Sequence, residues 1–145
     1  MKAMLLVDVQ NDFMPGGPLA VEDGDAIVPE LNRIMNDYEI VAATQDWHPP
    51  DHASFASQHP DHELFDTINL AGNEQTLWPD HCVQGSAGAE FHPDLDLRPA
   101  VAIFRKGVDR EIDSYSGFHD NGHERSTGLD AWLRGLGVTE VHLGG

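Results

Sequence analysis

The sequence predicts an α/β fold in which a mostly parallel sheet carries helices on its faces. Four short apolar runs along the chain have the character of buried strands. A segment with helical spacing of apolar residues joins the first run to the second, and another joins the third to the fourth. Strand–helix–strand units of this kind form parallel sheets. A length of 145 residues fits a single domain, residues 1–145.

The individual elements follow from local patterns. The four strands are expected at Met4–Val9, Glu39–Thr44, Val101–Phe104 and Val138–Leu143. Between the first two, Asp25 is predicted to N-cap a helix that runs to about Asp37. Between the last two, Ser126 or Thr127 is predicted to cap a helix that Gly137 ends.

Residues 46–99 are predicted to form a long loop region rather than regular structure. They are rich in His, Pro, Asp and Gly and show little periodicity. A loop of this length inside a compact domain usually carries function.

Composition excludes several classes of protein. With 25 acidic residues against 8 Lys and Arg, the net charge of −17 disfavours binding to nucleic acid or to an anionic membrane. No apolar run is long enough to span a bilayer, and the apolar run at the N-terminus, which Asp8 ends, is too short for a signal peptide. The single cysteine, Cys82, excludes an internal disulfide and suits a reducing compartment. We therefore expect a cytoplasmic protein; its oligomeric state is open, and an oligomer is compatible with the sequence.

Polar residues follow three of the predicted strands, where ligands bind in parallel sheets. These residues are Asp8, the segment 46–48, and Lys106. Asp8 is a candidate general base, although carboxylates at strand ends more often tether a loop. Lys106 is one of two lysines; it would tune the pKa of a nucleophile, form an ordinary ion pair with Asp8, or lie on the surface.

A metal site is suggested by the nine histidines and their spacing. Asp46 and His48 stand two apart on an extended segment and therefore point to the same side. His52 follows four residues later, and His81 would close the set. One carboxylate with two or three imidazoles suits zinc, with manganese and iron as alternatives. The competing interpretation is a polar loop whose histidines bind nothing.

The remaining candidates are the lone thiol and the loop aromatics. Cys82 next to His81 allows a Cys–His nucleophile pair, but a small buried thiol is the commoner use of such a residue. Phe13, Trp47 and Trp78 would either stack on a flat ligand or cover loop backbone.

Five segments together resemble a known family. They are DVQNDF at residues 8–13, QDWH at 45–48, WPDHCVQG at 78–85, Lys106-Gly107, and DSYSGF at 113–118. In this order they resemble the nicotinamidase/pyrazinamidase members of the isochorismatase-like cysteine hydrolases, across essentially the whole chain.

The resemblance implies a three-layer α/β/α fold and an amidohydrolase of NAD salvage. The substrate would be a small molecule, nicotinamide or pyrazinamide, hydrolysed through a cysteine thioester. The family's catalytic base falls on Asp8 and its catalytic lysine on Lys106. Its metal ligands fall on Asp46, His48 and His81, with His52 as a further ligand or supporting group. Its substrate-stacking aromatics fall on Phe13 and Trp78.

One part of the family pattern is absent. The family's nucleophilic cysteine follows the fourth strand and a glycine pair, and this sequence stops at Gly145. Cys82 corresponds to a different, non-nucleophilic cysteine. We therefore expect the natural protein to continue, and the 145 residues, about the N-terminal two-thirds of a member, to be inactive alone. The alternatives are an inactive metal-binding module, a metal-dependent hydrolase that uses water as nucleophile, and a hydrolase of another small amide.

Overall fold

A four-stranded parallel sheet forms the centre of the protein, which a computed structural model describes over residues 1–145. The strands are β1 (Lys2–Val7), β2 (Ile40–Asp46), β3 (Thr67–Leu70), β4 (Asn73–Thr76), β5 (Ala100–Lys106) and β6 (Glu140–Gly144); the helices are α1 (Val28–Ile34) and α2 (Leu129–Gly135). The sheet order is β5–β2–β1–β6, and every neighbouring pair is parallel. The four predicted strands are all confirmed, with ends that shift by one or two residues.

Helices cover both faces of the sheet, as the fold prediction requires. Met4 and Leu6 of β1 pack toward α1, in a cluster that includes Val28 and Leu31. The alternate residues of β1 point to the other face, where they join a cluster with the buried leucines of α2. Because side chains alternate along a strand, one apolar run serves two cores. The three-layer α/β/α architecture is confirmed.

The start of α1 differs from the prediction. Asp25 does not cap it, because a 3-10 turn over Gly24–Ile27 precedes the helix and contains Asp25. Ile27 occupies the N-cap position without a side-chain hydrogen bond. A backbone carbonyl in the preceding turn accepts the first N–H group of α1 instead, in the bond from Val28 N to Asp25 O.

The helix α2 begins at a glycine rather than at the predicted cap. Gly128 is the N-cap residue, with φ of 87°. The two predicted residues still contribute, since the Ser126 hydroxyl accepts from Gly128 N and the Thr127 hydroxyl accepts from Leu129 N. Gly137 ends the helix in the left-handed conformation, as predicted. Neither helix is long and apolar enough to cross a bilayer.

A short antiparallel hairpin, β3–β4, interrupts the predicted loop region 46–99. Its turn consists of Ala71 and Gly72, which both have positive φ. The sequence hides this hairpin because β4 reads Asn-Glu-Gln-Thr, without apolar alternation. The rest of 46–99 consists of turns and short 3-10 segments. Isolated bridges pair Val83 with His48, two residues after β2, and Phe91 with Gln10, three residues after β1.

Candidate active site

The three predicted strand-end residues meet at the carboxyl edge of the sheet. Lys106 lies at the end of β5, and its Nζ is 2.9 Å from Asp8 Oδ2 and 2.9 Å from Asp46 Oδ1. It also donates to the carbonyl oxygen of Ser114 at 2.9 Å. The ammonium is buried, so two carboxylates share one cation away from water.

Asp8 has an unusual backbone and an unusual environment. Its φ is 50°, in the left-handed region that aspartate tolerates better than most residues. The hydroxyl of Thr44 donates to Asp8 Oδ1 at 2.7 Å. Burial raises the pKa of Asp8, and the charge of Lys106 only partly offsets this effect. A carboxylate with a raised pKa accepts a proton more readily, as a general base must.

Asp46, His48 and His81 form a converging set of metal-competent atoms. Asp46 Oδ2 lies 3.2 Å from His48 Nε2 and 3.4 Å from His81 Nε2, and all three residues are buried. Burial alone would raise the pKa of Asp46, but hydrogen bonds to both histidines and the charge of Lys106 hold it well below its usual range. The carboxylate is thus ionised, as a metal ligand must be.

Both histidines are oriented through their other ring nitrogen. His48 Nδ1 lies 2.8 Å from the Gly107 carbonyl oxygen, and His81 Nδ1 lies 2.8 Å from the Pro79 carbonyl oxygen. A carbonyl only accepts, so each Nδ1 carries a hydrogen and each Nε2 faces Asp46. This is the arrangement that metal-ligating histidines adopt. The donor set, two imidazole nitrogens and one carboxylate, fits a divalent metal such as zinc, with room for further ligands.

His52 lies beside this set, with its ring centroid 4.4 Å from that of His48. Its Nδ1 accepts from Ser54 N at 3.1 Å, and its Nε2 lies 3.2 Å from the Ile112 carbonyl oxygen. Both ring nitrogens therefore have protein partners. These contacts favour a supporting role for His52 over direct ligation.

The ring of His48 also requires glycine at position 107. Gly107 has φ of 63°, and a Cβ added there would lie 2.4 Å from Cε1 of His48. The Gly107→Ala variant should lower the free energy of unfolding by the strain of a left-handed residue, about 1–2 kcal/mol, plus about 1–3 kcal/mol of overpacking. It should also weaken metal binding, because the ring must move.

Gly72→Ala is the matched control for this prediction. Gly72 also has positive φ, of 80°, but a Cβ there meets nothing within 4 Å. It should therefore show the backbone strain alone in urea unfolding. Equal losses for the two variants would mean that His48 yields freely and that Gly107 has no special role.

A pocket of about 200 Å³ lies beside the cluster of Asp8, Asp46 and Lys106. Its lining consists of Asp8, Phe13, Leu19, Asp46, Trp78, His81, Lys106, Asp113 and Tyr115. The predicted aromatics Phe13 and Trp78 are both in it, and the Trp78 indole donates to the Tyr115 hydroxyl at 3.1 Å. Trp47 is elsewhere, under the guanidinium of Arg105 at 3.8 Å from its centroid.

Cys82 does not have the properties of a nucleophile. Its side chain is buried, and burial raises the pKa of its thiol, with nearby carboxylates adding to the effect. The structure therefore does not support the alternative of a Cys–His nucleophile pair, and it supports the commoner interpretation of a small buried thiol.

Sequence reasoning missed several buried polar residues of the site. Gln10 clamps Asp46 by accepting from its N–H at 2.7 Å and donating to its carbonyl at 2.8 Å. Asp113 lies 4.0 Å from His48 Nε2 and forms a second potential metal-binding group with His48 and His52. Gln10 follows a buried strand directly, which is a signal that could have found it. Asp113 lies in an irregular loop and gives no such signal.

The fold and the pocket together define a class of protein. It is an α/β enzyme whose site lies where parallel strands end and combines a carboxylate–lysine pair with a carboxylate–imidazole set. The chain belongs to the isochorismatase domain family, whose model matches residues 2–145.

Known relatives place the chain within that family. It is 49% identical to the nicotinamidase of Acinetobacter baylyi over 99% of this chain and 67% of that protein. A nicotinamidase/pyrazinamidase structure from Acinetobacter baumanii matches with a TM-score of 0.95 and 48% identity, over 98% of this chain and 69% of that one. A pyrazinamidase of Pyrococcus horikoshii in complex with zinc matches with a TM-score of 0.76 and 36% identity, over 98% and 68%.

Proposed function

We propose that the protein is a nicotinamidase, which hydrolyses nicotinamide to nicotinate and ammonia and accepts pyrazinamide as a second substrate. The observation that carries this proposal is the buried Asp8–Lys106–Asp46 cluster beside the Asp46–His48–His81 set. The identity to the Acinetobacter baylyi nicotinamidase supports the choice of substrate.

The proposed metal ligands are Asp46, His48 and His81, with His52 as a supporting group. Zinc is the favoured metal because the related pyrazinamidase structure contains it and the donors suit it; manganese and iron are the alternatives. When bound, the metal would supply a Lewis acid that holds the ring nitrogen of the substrate. Phe13 and Trp78 line the pocket and would pack on the aromatic ring.

Asp8 and Lys106 perform the proton chemistry of the proposed reaction. Asp8 takes the proton of a thiol, and the ammonium of Lys106 stabilises the thiolate. The thiolate attacks the carboxamide carbon, ammonia leaves with the proton, and water hydrolyses the thioester to nicotinate. Cys82 is the only thiol in residues 1–145 and is unsuited to this task. The nucleophile that the proposal requires is therefore not among these residues.

The Asp8→Asn variant tests the base. The protein is produced from its complete gene, and nicotinate formation is followed by liquid chromatography. Asparagine tolerates the left-handed backbone at position 8 but cannot take a proton, so kcat should fall at least about 100-fold while zinc stays bound. Cys82→Ala is the control and should leave kcat within a few-fold of the original.

Three results would contradict parts of this proposal. Turnover of Asp8→Asn near the original rate would remove Asp8 as the base. Loss of turnover in Cys82→Ala, with the fold and the Zn²⁺ affinity intact, would make Cys82 the nucleophile. Hydrolysis that persists after complete thiol alkylation would favour water as the nucleophile.

A further inference from the structure

The DVQNDF segment contains a carboxylate, Asp12, to which the proposed reaction gives no role. We propose that Asp12 is a positioning residue for the metal site, which holds the backbone of Cys82 and through it both histidines of the Asp46–His48–His81 set. This inference rests on the metal site of the proposed function and names a further residue on which that site depends.

The first observation is the strained backbone of Cys82. Its φ is 46°, in the left-handed region that non-glycine residues rarely adopt and that persists only when surrounding contacts enforce it. Asp12 Oδ2 accepts the Cys82 N–H at 2.7 Å. A hydrogen bond to a charged acceptor is about twice as strong as a neutral one, so this contact is well suited to enforce the conformation.

The second observation is the position of Cys82 between the two histidines. It follows His81 in the chain, so the peptide that Asp12 binds is the one that His81 begins. The carbonyl of Cys82 accepts the backbone N–H of His48 at 2.9 Å. One residue therefore connects the backbones of two proposed ligands that lie 33 positions apart in the sequence. The Cys82 N–H and the Cys82 carbonyl lie in successive peptide groups, so a change in the φ and ψ of Cys82 would displace both histidines.

The third observation is that Asp12 has a second contact, with Gly88. A Cβ at Gly88 would lie 2.2 Å from either carboxylate oxygen of Asp12, so the carboxylate packs directly against this glycine. The neighbouring Asn11 side chain donates to the Ala87 carbonyl at 2.8 Å. The Asp12 carboxylate thus contacts this segment at both Cys82 and Gly88, which limits its freedom to follow a moving peptide.

The test measures metal binding, which does not depend on turnover. Metal-free protein, produced from its complete gene, is titrated with Zn²⁺ against a chromophoric chelator, and with Co²⁺ while its visible absorption is recorded. Asp12→Ala should weaken Zn²⁺ affinity by about 10- to 100-fold, the range for lost supporting partners, and should alter the Co²⁺ spectrum. Asp12→Asn should stay within a few-fold, because its amide oxygen still accepts from Cys82. Asp25 is exposed, and Asp25→Ala removes the same charge, so this control should change neither the Zn²⁺ affinity nor the Co²⁺ spectrum.

A second pair of variants tests the mechanism itself. Glycine adopts positive φ without strain, so Cys82→Gly should lessen the need for Asp12. In the Asp12→Ala background, Cys82→Gly should bind Zn²⁺ several-fold more tightly than Cys82→Ala. With Asp12 present, the Zn²⁺ affinities of Cys82→Gly and Cys82→Ala should differ less. The comparison with alanine removes the effect of the lost thiol. If Asp12→Ala alone fails to fold, recovery in the glycine double variant but not in the alanine one supports the proposal, and recovery in neither contradicts it.

The remaining outcomes separate this inference from the proposed function. If the unaltered protein binds neither Zn²⁺ nor Co²⁺, the proposed metal site and the role of Asp12 are both wrong. If the unaltered protein and Asp12→Ala bind Zn²⁺ equally, with the same Co²⁺ spectrum, the metal site stands and the role of Asp12 is overturned. Equal effects of Cys82→Gly and Cys82→Ala in both backgrounds also overturn it.

Discussion

Replacing Lys106 with methionine is expected to lower the free energy of unfolding of the metal-free protein by about 3–5 kcal/mol. The ammonium bonds to Asp8 and Asp46 at 2.9 Å each, and it is buried. Methionine nearly matches the volume of lysine but leaves two neighbouring carboxylates without their cation. Removing one partner of a buried ion pair costs far more than the pair contributes, because the remaining charge stays desolvated.

The only other lysine in the chain supplies the control for this experiment. Lys2 is exposed, and its ammonium lies 3.7 Å from Glu140. Lys2→Met should change stability by less than about 1 kcal/mol, the usual range for a surface pair. Urea unfolding at neutral pH in the presence of a chelator measures both variants. Similar losses of unfolding free energy for the two variants would show that the two buried carboxylates do not depend on Lys106 for their stability.

Replacing His81 with alanine is expected to reduce Zn²⁺ affinity by more than about 100-fold, beyond the loss of a supporting partner. The change removes one of the three converging donor atoms, and two donors hold zinc poorly. Under the proposed function, nicotinate formation should be lost as well. Chelator competition measures the affinity, and elemental analysis of the purified protein measures the metal content.

His62→Ala is the matched control, since this exposed histidine lies on the same loop region and pairs only with Asp66 at 3.5 Å. It should bind Zn²⁺ as the unaltered protein does. If His81→Ala keeps its metal, the metal is bound elsewhere. His48, His52 and Asp113 form the other group that could hold it.

The sheet and the strand-end residues were predictable because their signals are local. An apolar run such as Met4–Leu6 shows a buried strand without reference to any other part of the chain. In a parallel sheet, all carboxyl ends lie at one edge, so Asp8, Asp46 and Lys106 could be placed together from their positions alone. The resemblance to a family added the roles of these residues.

The rest depends on contacts between distant segments. Asp25 has the side chain of a helix cap, but preceding backbone carbonyls satisfy the same N–H groups. The hairpin β3–β4 is polar, and nothing in its pattern distinguishes it from loop. Asp12 contacts a residue 70 positions away, and the positive φ of Cys82 has no sequence signal because it is not glycine. Such features arise only when the loops pack on the finished sheet.

The strand order also determines which cation can occupy position 106. Because β2 lies between β5 and β1, Lys106 and Asp8 stand on strands that are separated by two inter-strand spacings, about 9–10 Å. The hydrogen bonds of the sheet fix this separation, so the side chain at position 106 must be long enough to cross over β2 to Asp8. Asp46, on the strand between them, needs no such reach. Chain length, as much as charge, is thus selected here: a shorter ammonium would still meet Asp46 but would lose Asp8.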